Sequence, residues 1–299
     1  MKRLGYLVLL LVIMGCSGQQ GKEKSASGPV TVAAVNYPIA YFAERIGDDV
    51  VNLQFPIPAD VDPAYWTPDE AAIKIFQEAD LILANGAGYA KWMEKVSLPE
   101  SKIIYTADAL KDRYLAIQEG TTHSHGPEEE HEHMGYAFTT WLDFEVATVQ
   151  AKAIYMALVE LRPQHKKDLT IRFNQLKVEL QGIDAKLISY SKSIKRKAYV
   201  ASHPVYQYFA QRYHLEIYSV HWEPNEIPLK FQWKNLMDIL QQHQTGIMLW
   251  ETEPMPKIRT ELERINLNLV VFNPCSNKPA TGDFMSVMRE NVAMFLESD

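Results

Sequence analysis

Apolar residues follow two rhythms along this chain of 299 residues. Short β-branched runs predict strands, and longer stretches with apolar positions three and four apart predict helices. Residues 30–35 form the first such run, and residues 40–46 have helical spacing with Gly47 placed to end the helix. Residues 50–57 predict a second strand, followed by a loop over 58–68 that carries Asp60, Asp62 and three prolines. A helix over 69–79, a strand over 81–84, a helix over 89–96 and a strand over 103–106 complete this half. The alternation resumes with strands at 198–201, 216–220, 246–250 and 269–272, and helices at 206–213, 231–241, 257–265 and 283–296. Strands alternating with helices in short units predict parallel sheets covered on both faces.

Between the halves the pattern is helical. Apolar residues recur from 144 to 161, Pro163 interrupts, and a second run from 165 to 194 places Leu169, Phe173, Leu176, Leu180, Ile183 and Leu187 at helical intervals. That run predicts a helix about 45 Å long, enough to extend the length of a two-lobed protein; its apolar set is short for a coiled-coil seam. The predicted class is therefore α/β: two similar lobes, each a parallel sheet flanked by helices, joined by one long rigid helix. The N-terminal lobe covers 30–162, the linking helix 163–195 and the C-terminal lobe 196–299.

His203 stands where a strand feeds a helix, the position at which ligands collect in open α/β sheets. Ser202 is suited to cap that helix and Pro204 to its first turn. An imidazole there can donate one nitrogen to a divalent metal; the alternative is a hydrogen-bonded loop histidine.

Composition narrows the function. A net charge of −7, from 30 basic and 37 acidic residues, excludes a nucleic-acid surface. Residues 1–16 combine Met1-Lys-Arg with an apolar segment from Leu4 to Met14, too short for a stable membrane span, and read as a secretory signal. The segment ends in Ile13-Met-Gly-Cys16, which resembles the bacterial lipoprotein processing box. Cys16 is thus the expected lipidation site, and 17–29, rich in Gly, Ser and Lys, a flexible tether. Cys275 is the other of the 2 cysteines, so acylation of Cys16 excludes an internal disulfide.

Residues 121–135 enclose His123-Ser-His-Gly-Pro-Glu-Glu-Glu-His-Glu-His133. This segment lacks apolar periodicity and reads as a mobile loop in which His123, His125, His131 and His133 weakly chelate zinc-like ions. A solvated acidic loop is the alternative. Neither His-Glu-x-x-His, Gly-x-Ser-x-Gly nor a phosphate loop occurs, so the chain does not read as an enzyme.

Several segments together resemble the solute-binding lipoproteins of bacterial zinc and manganese ABC importers, in which one long helix joins two lobes. They are Val32-Ala-Ala-Val-Asn-Tyr-Pro38, Asp62-Pro-Ala-Tyr-Trp-Thr-Pro68, Ala79-Asp-Leu-Ile-Leu-Ala-Asn-Gly86, the His-rich loop, Trp141-Leu-Asp143, Ser202-His203 before Tyr208-Phe209, Trp250-Glu-Thr-Glu-Pro254 and Asn273-Pro274. The resemblance implies an extracytoplasmic, membrane-anchored lipoprotein, in the periplasm or at the cell surface, that captures zinc or manganese between its lobes and delivers it to an ABC permease in the inner membrane.

Members of that family hold the metal with three histidines and one carboxylate, or with two of each. His203 matches one family ligand; Ala64, Thr139 and Asn273 stand where the others are expected. Asp60, Asp62, His221, Glu223, Glu226, Glu251 and Glu253 are the loop or strand-end candidates for replacement donors. The competing reading is a metal-free binding or accessory lipoprotein that kept the fold, with Tyr65, Trp66, Tyr206, Trp222 and Trp250 lining an organic-ligand pocket.

Overall fold

The computed structural model describes residues 28–117, 123–124, 130–131, 135–195 and 198–298. The lipoprotein box at Cys16, and most of the tether and His-rich loop, lie outside the described residues. Within that loop the backbone forms β5 (His123–Ser124) and β6 (Glu130–His131), paired antiparallel with His123 opposite His131.

The first sheet contains β1 (Val30–Ala34), β2 (Val51–Gln54), β3 (Leu81–Ala84) and β4 (Ile103–Tyr105). The second contains β7 (Ala198–Ala201), β8 (Glu216–Ser219), β9 (Ile247–Trp250) and β10 (Asn268–Val271). Every pairing in both sheets is parallel. Their orders, β2-β1-β3-β4 and β8-β7-β9-β10, are the same when strands are counted from the start of each lobe. In each sheet the order in which strands are added therefore reverses between the first and third strands, and the crevice beyond their carboxyl ends is the place for a ligand.

The helices that cover the first sheet start from polar caps. Asn36 accepts from Ile39 N at the start of α1 (Tyr37–Gly47), and Asp69 accepts from Ala72 N at the start of α2 (Glu70–Glu78). Asp143 opens α3 (Phe144–Leu161) by accepting from Glu145 N and Val146 N. After the turn at Pro163–His165 comes the long helix α4 (Lys166–Ser193), 28 residues or about 42 Å. Its six predicted apolar residues are all buried, in one apolar cluster that runs from the first sheet through α3 and α4 to the second sheet. Stacking of Tyr155 on Phe173, 4.8 Å between centroids, locks the α3–α4 hairpin. Around the second sheet lie α5 (Gln207–Tyr213), α6 (Lys230–His243), α7 (Pro256–Arg264) and α8 (Phe284–Glu297). Among the described residues no helix is long and apolar enough to cross a membrane.

Two expected helical features differ. The helix expected over 89–96 is only a 3₁₀ segment, Lys91–Lys95, because Ala87, Gly88 and Ala90 all take positive φ and turn the chain out of helical geometry. Gly86, at φ +92, is required there: a Cβ would lie 2.4 Å from the Tyr114 hydroxyl. The helix after His203 begins at Gln207, so Ser202 does not cap it and Pro204 lies ahead of its first turn. Ser202 instead continues the sheet, its N–H donating to Leu249 O and its carbonyl accepting from Trp222 N.

The lobes touch through specific polar contacts. The Trp141 indole donates to Pro274 O, Tyr37 N to Ser276 O, and the Asn277 amide to Pro58 O and Val61 O. These contacts place the 58–68 loop of the first lobe against the second.

Candidate functional site in the cleft between the lobes

At the switch point of the first sheet the crevice is filled. Asn36 donates to Asn85, which also accepts from Thr140 and Gln150; all four are buried, and none carries charge. The switch point of the second sheet is chemically different. His203 follows β7, Glu251 follows β9, and His221 and Glu223 follow the neighbouring β8.

His203 Nδ1 lies 3.1 Å from the Trp222 carbonyl. A carbonyl only accepts, so Nδ1 carries a proton and in the neutral ring the lone pair sits on Nε2. That nitrogen faces Glu223 Oε1 at 3.3 Å, while Glu251 Oε1 lies 3.7 Å from Nδ1. The His221 ring centroid is 6.1 Å from that of His203. The loop bearing Glu223 is pinned at three points: Trp222 N on Ser202 O, Gln232 Nε2 on His221 O, and Met255 N on Pro224 O.

Electrostatics tie these groups together. Burial among protein atoms lifts Glu251 to about 7, against the opposing pull of His203 and with help from the charges of Asp62 and Glu223. Burial opposes the imidazolium of His203, but the hydrogen bond with Glu223 and the charges of Glu251 and Glu223 outweigh it and raise its pKa. Burial, then the charge of His203, lowers His221. Tyr65, half exposed on the first-lobe loop and edge-on to Phe138, is raised to about 12 by burial and by Asp62, Glu251 and Glu223. Asp62 and Tyr65 therefore face the second-lobe carboxylates across the cleft.

The three substituted positions have other roles. The Thr139 hydroxyl donates to Val205 O, two residues from His203. Asn273 spends its side-chain oxygen on Cys275 N at 2.7 Å, and its backbone is held by Asn291. Ala64 packs on the core, and its N–H is taken by Asp62 Oδ1. Thr139 is 3% exposed. Thr139→His is therefore expected to lower stability by about 1–3 kcal/mol through overpacking, with no gain in zinc affinity; thermal melts and titration of the variant check both.

Of the other candidate donors, Glu253 is held by Arg259 through two hydrogen bonds of 2.7 and 2.6 Å. Asp60 and Glu226 are exposed. Among the described residues no three His, Cys, Asp or Glu side chains stand in a metal-holding group: Glu223 and Glu251 approach opposite nitrogens of the one ring. Among the described residues, four of the five aromatics expected to line an organic-ligand pocket belong instead to the apolar core. Trp66, Tyr206, Trp222 and Trp250 are buried, and the Tyr206 hydroxyl is bonded to Phe272 O. The position of Glu223 was the least legible, since its only signal is the dipeptide after Trp222 at a strand end, Glu223-Pro224.

Two lobes with the same strand order, one long helix and an imidazole–carboxylate cluster at one switch point define a bilobal α/β solute-binding protein. The family profile described as zinc-uptake complex component A, periplasmic, matches residues 32–298, and the chain belongs to that family. It is 25% identical to the metal ABC transporter substrate-binding lipoprotein ScbA of Streptococcus cristatus, over 99% of each chain. It is 23% identical to the high-affinity zinc uptake system protein ZnuA of Bacillus subtilis, over 85% of this chain and 81% of that one. In fold it is similar to the metal-dependent lipoprotein YcdH of Bacillus subtilis, with a TM-score of 0.76 at 18% identity, covering 90% of this chain and 99% of that one.

Proposed function

We propose that this protein is the extracytoplasmic, lipid-anchored binding component of an ABC importer that carries zinc or manganese. The ion is captured in the interlobe cleft with His203 as anchor and passed to a permease in the membrane. One observation carries this reading: the Trp222 carbonyl commits Nδ1 of His203 to a proton and leaves Nε2 as the coordinating nitrogen, facing a carboxylate at the sheet's switch point. The relatives named as metal ABC transporter lipoproteins support the choice of ligand class. No catalytic role is assigned. His123, His125, His131 and His133 serve as a weak collecting loop in the N-terminal lobe, 30–162, and the linking helix, 163–195, holds the lobes in register.

The test is the metal stoichiometry of the mature full-length protein carrying His→Gln at those four loop positions. One tightly bound zinc or manganese per chain is expected; none would overturn the metal reading.

The same reading assigns 1–16 to a cleaved signal, acylation to Cys16 and 17–29 to the tether. Cys16→Ser should move the protein from the membrane fraction to the soluble extracytoplasmic fraction, because loss of the acyl chains removes about 0.8 kcal/mol for every buried CH₂. Continued processing and membrane retention of the variant would refute the anchor.

A further inference from the structure

We propose that the cargo site has been rebuilt on the second lobe: the ion is held by His203, Glu223 and Glu251, with His221 beside them and Asp62 closing from the first lobe. This rests on the metal-binding reading above and goes beyond the ligand positions that the family resemblance supplies.

The first support is what the substituted positions can no longer do. Ala64 has no donor atom, the Thr139 hydroxyl points its proton into Val205 O, and the Asn273 side-chain oxygen is committed to Cys275 N. A site drawn from those places would keep His203 alone, too few donors for zinc, which takes about four.

The second is the separation of the donors that remain. Metal–nitrogen and metal–oxygen bonds of about 2.1 Å put neighbouring ligand atoms about 3.0–3.4 Å apart for octahedral and tetrahedral angles. His203 Nε2 and Glu223 Oε1 stand 3.3 Å apart. Both are acceptors when the ring is neutral, so the pair is suited to share a cation, a proton or a divalent ion. Glu251, 3.7 Å from the other ring nitrogen, must turn about its own side chain to join the same ion.

The third is preorganisation. The backbone around Glu223 is fixed by Ser202, Gln232 and Met255, and the His203 ring by Trp222. For these two residues only side chains need to turn on loading. Two imidazoles and three carboxylates make an oxygen-rich shell that accepts manganese as well as zinc.

The experiment is calorimetric titration with zinc chloride and, separately, manganese chloride. The protein is full length and mature, with the four loop histidines changed to Gln, alone or with Glu223→Gln, Glu251→Gln or both. Each single change should weaken binding of both ions by about tenfold or more, and the pair should abolish it, while thermal melts in chelator stay unchanged. Zinc X-ray absorption should report at most two imidazoles. If the parent binds an ion tightly and both carboxylate variants bind it equally well, the rebuilt site is refuted while the metal reading stands. If the parent binds neither ion, the metal reading itself has failed.

Discussion

Replacing His203 with alanine should lower the affinity of the loop-substituted protein for zinc or manganese by about 100-fold or more, since it removes a coordinating nitrogen around which the other donors are arranged. The loss should appear in calorimetry without a matching loss of stability, because the side chain is only partly buried.

The pH dependence of the unmutated cleft follows from the same groups. Coordination needs a neutral imidazole and an ionised carboxylate. The pKa of His203 is raised, so a proton competes with metal to higher pH than at an ordinary histidine. Glu251, at about 7, is protonated over the same range and gives up its charge as pH falls. Both effects have one sign: affinity should rise as pH passes through the range around 7 in which Glu251 ionises, and level off once His203 is also neutral. His221, lowered, stays neutral through most of that range and adds little to the slope. Alanine at 203 should flatten the profile as well as lower it. Affinity that is independent of pH, or unchanged in the variant, would remove His203 from the site.

Much of this arrangement was legible in residue order. β-branched runs such as Val30–Ala34 can only bury themselves as strands, and Leu169 through Leu187 at helical spacing had to form one apolar stripe. His203 was legible because a strand end preceding a helix is readable from local pattern. What could not be read is what depends on pairing between distant segments. Nothing local to β7 says that β9 rather than β10 lies beside it, and that neighbour relation is what sets Glu251 against His203. Glu223 was one of seven acidic or imidazole alternatives, because its partner is 20 residues away and its loop is positioned by Ser202 and Met255. The late start of α5 was missed because Ser202 looked like a cap while its backbone was committed to the sheet. The aromatic residues could line a pocket or fill a core equally well by composition; only their burial decides.

Arg212→Ala is expected to be the most destabilising single change outside the core. Arg212 lies on α5 of the second lobe and makes two hydrogen bonds to Asp184 on α4, 3.1 and 2.7 Å long, and a third of 2.6 Å to Glu145 at the start of α3. It also lies 3.6 Å from Asp143, whose carboxylate caps α3 and is shared with Arg113. One guanidinium thereby ties both lobes to the connecting helix, in the bidentate geometry that lysine cannot reproduce. Its acidic partners are themselves shielded, with Asp143 4% and Asp184 15% exposed in their side chains. Alanine would strand Asp184 beside the Tyr213 hydroxyl and leave Asp143 with Arg113 as its remaining cation. Removing one partner of a shielded ion pair costs about 3–5 kcal/mol when burial is complete; at 23% exposure for Arg212 a loss of about 2–4 kcal/mol is expected. For a chain of this size that corresponds to a fall of roughly 5–10 °C in melting temperature. Arg212→Lys should recover only part of it, since an ammonium cannot reach α3 and α4 together with paired bonds. A melting temperature within about 2 °C of the parent for Arg212→Ala would show that the contacts between α3, α4 and α5 are held by apolar packing alone.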